Sequence, residues 1–124
     1  MTKRNLIYIA DDDKSIRDVI PLMIESLFPK YNERIKVFED GEALYDKLQI
    51  DNEQAKLILT DINMPKMDGF ALTQKCKEAY PTIPVIAMSG KFDNRMLVLE
   101  AGAKDFLSKP FNLKKLESTL EKYL

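Results

Sequence analysis

Four short apolar runs in this 124-residue chain are each followed directly by side chains capable of chemistry. Asp11, Asp12 and Asp13 follow Leu6–Ala10, Asp61 follows Leu57–Thr60, Ser89 follows Pro84–Met88, and Lys109 follows Asp105–Ser108. Carboxylates gathered within about 4–6 Å resist joint ionisation, and a hard divalent cation relieves that repulsion. Mg²⁺ takes oxygen ligands, typically one or two carboxylates completed by waters and phosphate oxygens. A carboxylate nucleophile beside such a cation, an ammonium and a hydroxyl suits phosphoryl transfer, in which positioning and charge neutralisation supply most of the catalysis.

Those groups form one site only if the fold brings the strand ends together. The hydrophobic spacing predicts strands over Leu6–Ala10, Ile35–Phe38, Leu57–Thr60, Pro84–Met88 and Asp105–Ser108. Between them it predicts helices over Ser15–Leu27, Glu42–Leu48, Asp68–Ala79 and Asp93–Ala101, with a last one from Asn112 to Leu124. Asp13 and Asn112 are placed to cap helix starts, and Gly102 to close a helix in the left-handed conformation. Pro21 falls inside the first helix, where its missing N–H should kink or loosen a turn. Five apolar strands alternating with five helices imply a parallel α/β sheet covered on both faces. In such sheets ligands bind beyond the carboxyl ends of the strands, so the acids, Ser89 and Lys109 converge on one edge.

Composition removes competing chemistries. The chain has no histidine, which excludes histidine triads, histidine zinc sites and a phosphohistidine carrier on this chain. The lone Cys76 excludes an internal disulfide and a cysteine metal cluster. Hydrophobic residues make up 45% and charged residues 31%, the balance of one folded domain across residues 1–124. The net charge of −1 argues against direct nucleic-acid or membrane binding by bulk charge. No apolar run reaches membrane-spanning length, and Leu6–Ala10 is too short for a signal-peptide core, so a cytoplasmic location is expected.

The ordered motifs resemble the receiver (response-regulator) domain of two-component signalling over essentially the whole length. They are Ile9-Ala10-Asp11-Asp12-Asp13 through Arg17, Leu59-Thr60-Asp61-Ile62-Asn63-Met64-Pro65-Lys66-Met67-Asp68-Gly69, and Pro84-Val85-Ile86-Ala87-Met88-Ser89-Gly90. Gly102-Ala103-Lys104-Asp105-Phe106 and Leu107-Ser108-Lys109-Pro110-Phe111 complete the set. The resemblance implies a doubly wound, flavodoxin-like sheet of order 2-1-3-4-5. It implies Asp61 as phosphoacceptor, taking a phosphoryl group from a phosphohistidine of a sensor kinase or phosphotransfer protein. Asp12, Asp61 and the Asn63 carbonyl would bind Mg²⁺, with Asp11 acting through a water. Ser89, Lys109 and the backbone N–H groups of Ile62 and Gly90 would hold the phosphoryl oxygens. Phe106 would be the switch aromatic that turns inward with Ser89, and the Lys109–Pro110 bond would be cis.

Phosphorylation would then shift a pre-existing equilibrium of helix 4, strand 5 and helix 5, the face offered to a downstream effector. Moving such an equilibrium from 1:99 to 99:1 requires about 5.5 kcal/mol of differential stabilisation. The chain would catalyse only its own phosphorylation and dephosphorylation. It would act alone or as a receiver within a longer regulator or hybrid kinase.

Other readings stand beside this one. Asp13 and Asp68-Gly69 read as helix-start chemistry, Cys76 as a core residue, and Met64 and Met67 as packing for the acceptor loop. Four consecutive apolar residues, Met96 to Leu99, cannot all face one core, so at least one is expected outside. It is either a stray surface residue or part of a partner face. The interval from Ser89 to Gly102 is about two residues shorter than the usual receiver pattern. Serine replaces the commoner threonine at 89, Phe106 lacks a hydroxyl, and Asn63 and Lys91 occupy positions that tune phosphoryl lifetime in the family. An aspartate-nucleophile phosphatase and a phosphorylation-independent adaptor are the two alternatives. The first is disfavoured by the adjacent Asp11-Asp12 pair and an acceptor on the third strand, the second by the full residue set.

Overall fold

The computed structural model describes residues 5–51 and 55–124. Its elements alternate as β1 (Leu6–Ala10), α1 (Lys14–Leu27), β2 (Ile35–Phe38), α2 (Gly41–Ile50), β3 (Ala55–Asp61) and α3 (Gly69–Ala79). Then follow β4 (Val85–Ser89), α4 (Asn94–Ala101), β5 (Asp105–Ser108) and α5 (Leu113–Leu120). The five strands are parallel, in the order β2-β1-β3-β4-β5, which is the doubly wound arrangement expected.

Strand alternation builds two cores. Ile7, Ile9, Leu57, Leu59, Ile86, Met88 and Leu107 face α1 and α5, meeting Ile20, Ile24, Leu116 and Leu120. The intervening residues face the opposite way: Tyr8, Ala10 and Ile58 meet Leu44, Leu48, Leu72 and Cys76 of α2 and α3. Farther along that face, Ile62, Ala87 and Phe106 meet Val98 of α4. Each fully buried aliphatic side chain contributes about 1.5–3 kcal/mol, so the sheet is fixed by packing on both faces. Edge strand β2 departs from this rule, since Val37 is exposed.

The caps form as read. Asp13 accepts from the Ser15 N–H, and Asn112 accepts from the Lys115 N–H. Gly102 closes α4 at φ +123°, its N–H reaching Leu99 O at 3.1 Å. Other boundaries differ by a few residues. Asp40 caps α2 through the Ala43 N–H, so the helix begins at Gly41 and runs on to Ile50. Ser89 is the last residue of β4 rather than the first of a loop. The last helix ends at Leu120 because Tyr123 is drawn aside, its hydroxyl donating to Lys104 O at 3.2 Å. A 3-10 turn over Pro29–Tyr31 links α1 to β2 and was not foreseen. Pro21 does not end α1, which runs unbroken from Lys14 to Leu27. A proline forfeits one backbone bond, and the buried Ile20 and Ile24 on either side keep that turn seated on the sheet.

Candidate functional site

Asp11 is drawn into the interior by four bonds. Its N–H extends the ladder to Phe38 O at 3.1 Å, and its carbonyl accepts from Arg17 Nη1 at 2.9 Å. One carboxylate oxygen accepts from the Asp13 N–H at 3.0 Å, and the other from Lys109 Nζ at 2.7 Å. The residue is 0% exposed. Asp12, one residue on, is exposed, because its carboxylate projects from a turn between strand and helix. Asp13 is committed to its cap, where the hydrogen bonds from the Ser15 hydroxyl and N–H hold its carboxyl below the ordinary range.

Asp61 ends β3 opposite Met88 in the ladder and is 8% exposed. Its Oδ1 lies 3.2 Å from Lys109 Nζ, so one ammonium bridges two acids from strands β1 and β3. The Lys109 N–H is fixed to Ser89 O at 2.8 Å, and the Lys109–Pro110 bond is cis, as read. Behind Asp61, α3 starts in direct contact with β3. A Cβ at Gly69 would lie 2.4 Å from Asp61 O and 2.7 Å from Ile62 Cα. Only a glycine permits that approach. The Gly69 N–H donates to Ile62 O at 2.7 Å, closing the loop after Asp61 at its base.

The remaining expected residues fall around this centre. Ile62 is buried, and its N–H donates to Met88 O at 3.2 Å as well as facing the Asp61 carboxylate. Asn63 and Gly90 are exposed at the mouth. Ser89 is buried, and its Oγ accepts from the Lys91 N–H at 2.9 Å and from Asn94 Nδ2 at 3.2 Å. The Phe106 ring lies inside, packed with Ile62, Ala87, Val98 and Ala103. Met64 and Met67, in the loop after Asp61, pack against the core of α2 and α3, and Cys76 is buried there, its thiol pushed up to about 12 by burial.

The electrostatics are unbalanced. Burial, reinforced by the Asp11 charge, raises the Asp61 carboxyl above its ordinary range, and Lys109 only partly offsets this. Burial pulls the Lys109 ammonium down, but the hydrogen bond and charge of Asp11, with Asp61, outweigh it and leave it raised. Oxygens of Asp11, Asp12 and Asp61 lie within 4.8 Å of one another. Three carboxylates therefore face one ammonium. A hard, all-oxygen donor set with excess negative charge fits Mg²⁺ better than a softer transition metal.

Two contributors were given no role by sequence reasoning, although Arg17 closes the first motif quoted above. Arg17 clamps the Asp11 carbonyl, and its place six residues on, in the first turns of α1, was the available signal. Asn94 touches Ser89 across a loop and carried no signal in its type or spacing. In the turn before α4 and on its face away from the core, Phe92, Met96 and Leu97 are 69%, 63% and 57% exposed while Val98 is buried. Among the described residues no helix is long and apolar enough to cross a membrane.

Known proteins share this arrangement. The family model described as response regulator receiver domain matches residues 7–121. A DNA-binding transcriptional regulator NtrC from Proteus hauseri is 36% identical over 124 residues, covering 98% of this chain and 25% of the relative. The transcriptional regulatory protein FixJ of Bradyrhizobium diazoefficiens is 30% identical, covering 98% of this chain and 57% of that protein. The chain thus spans a quarter to somewhat over half the length of these relatives. Among solved structures, the chemotaxis response regulator CheY4 of Vibrio cholerae superposes with a TM-score of 0.83 at 26% identity, covering 100% of this chain and 99% of that one. The receiver domain of sensor histidine kinase PA1611 from Pseudomonas aeruginosa PAO1, described with a magnesium ion coordinated in its active-site cleft, gives 0.81 at 25% identity, with 96% of each chain covered. Sequence, topology and strand-end chemistry agree, and the chain belongs to the response regulator receiver domain family.

Proposed function

We propose that this chain is a single receiver domain that accepts a phosphoryl group on Asp61, with Mg²⁺ bound, and passes that state to a partner protein. The observation that carries the reading is the Lys109 ammonium, shared between Asp11 at 2.7 Å and Asp61 at 3.2 Å inside an acid cluster it cannot neutralise alone. Asp12, Asp61 and the Asn63 carbonyl would hold Mg²⁺ directly and Asp11 through a water. The bound ion would neutralise charge on the entering phosphoryl oxygens.

The chain's own residues do the rest. An oxygen of Asp61 attacks the phosphorus of a partner's phosphohistidine, the phosphorus–nitrogen bond breaks, and the imidazole leaves with that electron pair. An acyl phosphate remains on Asp61. Lys109 and the Ser89 hydroxyl, with the N–H groups of Ile62 and Gly90, bind the phosphoryl oxygens. Attack by water on the acyl phosphate later regenerates the carboxylate and releases phosphate, so no diffusible substrate is turned over. The donor, a sensor histidine kinase or phosphotransfer protein, docks over the site mouth. The groove beside Lys109, lined by Ile16, Val19, Met23 and Phe111 and about 380 Å³ in volume, suits an apolar contact there.

The effector surface is α4, β5 and α5, where Met96 and Leu97 are exposed beside Phe92. Phe106, beneath α4, links that surface to the site through packing. The near-zero net charge supports action through protein partners, without direct nucleic-acid contact by this domain through bulk charge.

Intact-mass measurement with Mg²⁺ and acetyl phosphate tests the chemistry. Wild type should gain one phosphoryl group, about 80 Da, and Asp61→Asn should gain none. Binding of Mg²⁺ without any phosphoryl gain from acetyl phosphate or a phosphohistidine donor would overturn the reading.

A further inference from the structure

We infer that Asn94, the first residue of α4, is a positioning residue that orients the Ser89 hydroxyl toward the phosphoryl group. The inference rests on the proposed function and extends it to a residue outside the receiver motifs. A serine hydroxyl has two acceptor lone pairs and one proton to donate. In this structure both acceptor sites of Ser89 Oγ are taken, by the Lys91 N–H at 2.9 Å and by Asn94 Nδ2 at 3.2 Å. What remains is the proton. A buried hydroxyl held in this way can act toward a phosphoryl oxygen only as a donor, with little freedom to turn elsewhere.

The short connection makes the contact possible. Four residues separate Ser89 from Asn94, and the backbone between them is folded by the Asn94 N–H donating to Lys91 O at 3.1 Å and the Arg95 N–H to Phe92 O at 3.0 Å. Asp93, in the N-cap position, makes no side-chain capping bond. The side-chain bond at this end of α4 therefore runs to Ser89 rather than to the helix's own first turn. In a helix of eight residues, a tether at the first residue constrains a large share of the element. With that bond kept, any movement of Ser89 toward Asp61 pulls on the first turn of the helix that exposes Met96 and Leu97.

A double-mutant cycle on the full chain tests this, read as the initial rate of Mg²⁺-dependent phosphoryl gain from acetyl phosphate by intact mass. Asn94→Asp is nearly isosteric and favourable in the first turn of a helix, yet it replaces the donor with an acceptor that captures the Ser89 proton. Asn94→Leu removes the donor without adding charge and is a better helix former. Both should slow the gain about tenfold, the scale of one lost charge-assisted hydrogen bond. The urea midpoint of Asn94→Leu should be no lower than that of wild type. Ser89→Ala should slow the gain similarly, and adding either Asn94 substitution to it should change nothing more.

Wild-type rates in Asn94→Leu would overturn the positioning role alone. So would equal slowing by Asn94→Asp with and without the Ser89 hydroxyl, which would indicate a field effect. A Ser89→Ala rate equal to wild type would overturn it as well, because Asn94 acts through that hydroxyl. No phosphoryl gain by wild type would instead overturn the proposed function and this inference with it.

Discussion

Among the described residues, two polar clusters are built from aspartates and lysines to opposite balance. At the carboxyl edge of the sheet, Asp11, Asp12 and Asp61 gather together, and the ammonium of Lys109 pairs with Asp11 and Asp61. At the carboxyl end of α2 the ratio is reversed. Asp51 receives Lys36 Nζ at 2.8 Å and the Tyr8 hydroxyl on one oxygen, and Lys47 Nζ lies 3.6 Å from the other. Burial would push the Asp51 carboxyl up, but the Lys36 and Tyr8 hydrogen bonds overcome it and hold it below its ordinary range. Tyr8 is raised far above the usual phenol, by burial first and Asp51 second. A fully partnered network rigidifies what it joins, here β1, β2 and the end of α2. The acid edge is left short of positive charge, the kind of local strain that function retains at the expense of stability.

Three substitutions can break or sharpen that contrast. The largest effect belongs to Lys109→Ala, which leaves buried Asp11 and Asp61 facing each other. Without Mg²⁺ it should destabilise by about 3 kcal/mol, read from urea unfolding, and millimolar Mg²⁺ should recover part of the loss. Next is Asp51→Ala, which strands the buried Tyr8 hydroxyl and should cost about 2 kcal/mol with no response to Mg²⁺. A Mg²⁺-sensitive loss at Asp51, or an insensitive one at Lys109, would erase the distinction.

The smallest effect has the opposite sign. Because the folded state raises the Asp61 carboxyl above its unfolded value, its charge opposes folding at neutral pH. Asp61→Asn should raise the Mg²⁺-free melting temperature by a few degrees. The gain should be absent below the ordinary carboxylate range, grow as pH rises through it, and level off above the raised folded value. A melting temperature lowered at pH 7 would show that Asp61 belongs with the balanced cluster.

Much of this was legible in the sequence because it is local. Strands ending in Asp11, Asp61, Ser89 and Lys109 announce themselves through apolar runs, and Asp13, Asp68 and Asn112 read as caps from their own type and neighbours. Topology then places the strand ends on one edge. What escaped is non-local or depends on detail. Tyr8 and Asp51 are 43 residues apart and share no pattern. The Asn94 contact needs the actual path of the Lys91–Asp93 turn. The Pro29–Tyr31 turn lacks a hydrophobic period to mark it. Pro21 lies within an unbroken α1, between the core residues Ile20 and Ile24.

The bond from Lys109 to Asp11 spans 98 positions of the chain. Translation adds about 5–20 residues per second, so the aspartate is made roughly 5–20 s before its lysine. Throughout that interval the nascent polypeptide carries acids with no resident cation to unite them. The Lys109–Asp11 contact can form only once the fifth strand has been synthesised and laid beside the fourth, and on the proposed function a chain interrupted before that point would not accept a phosphoryl group.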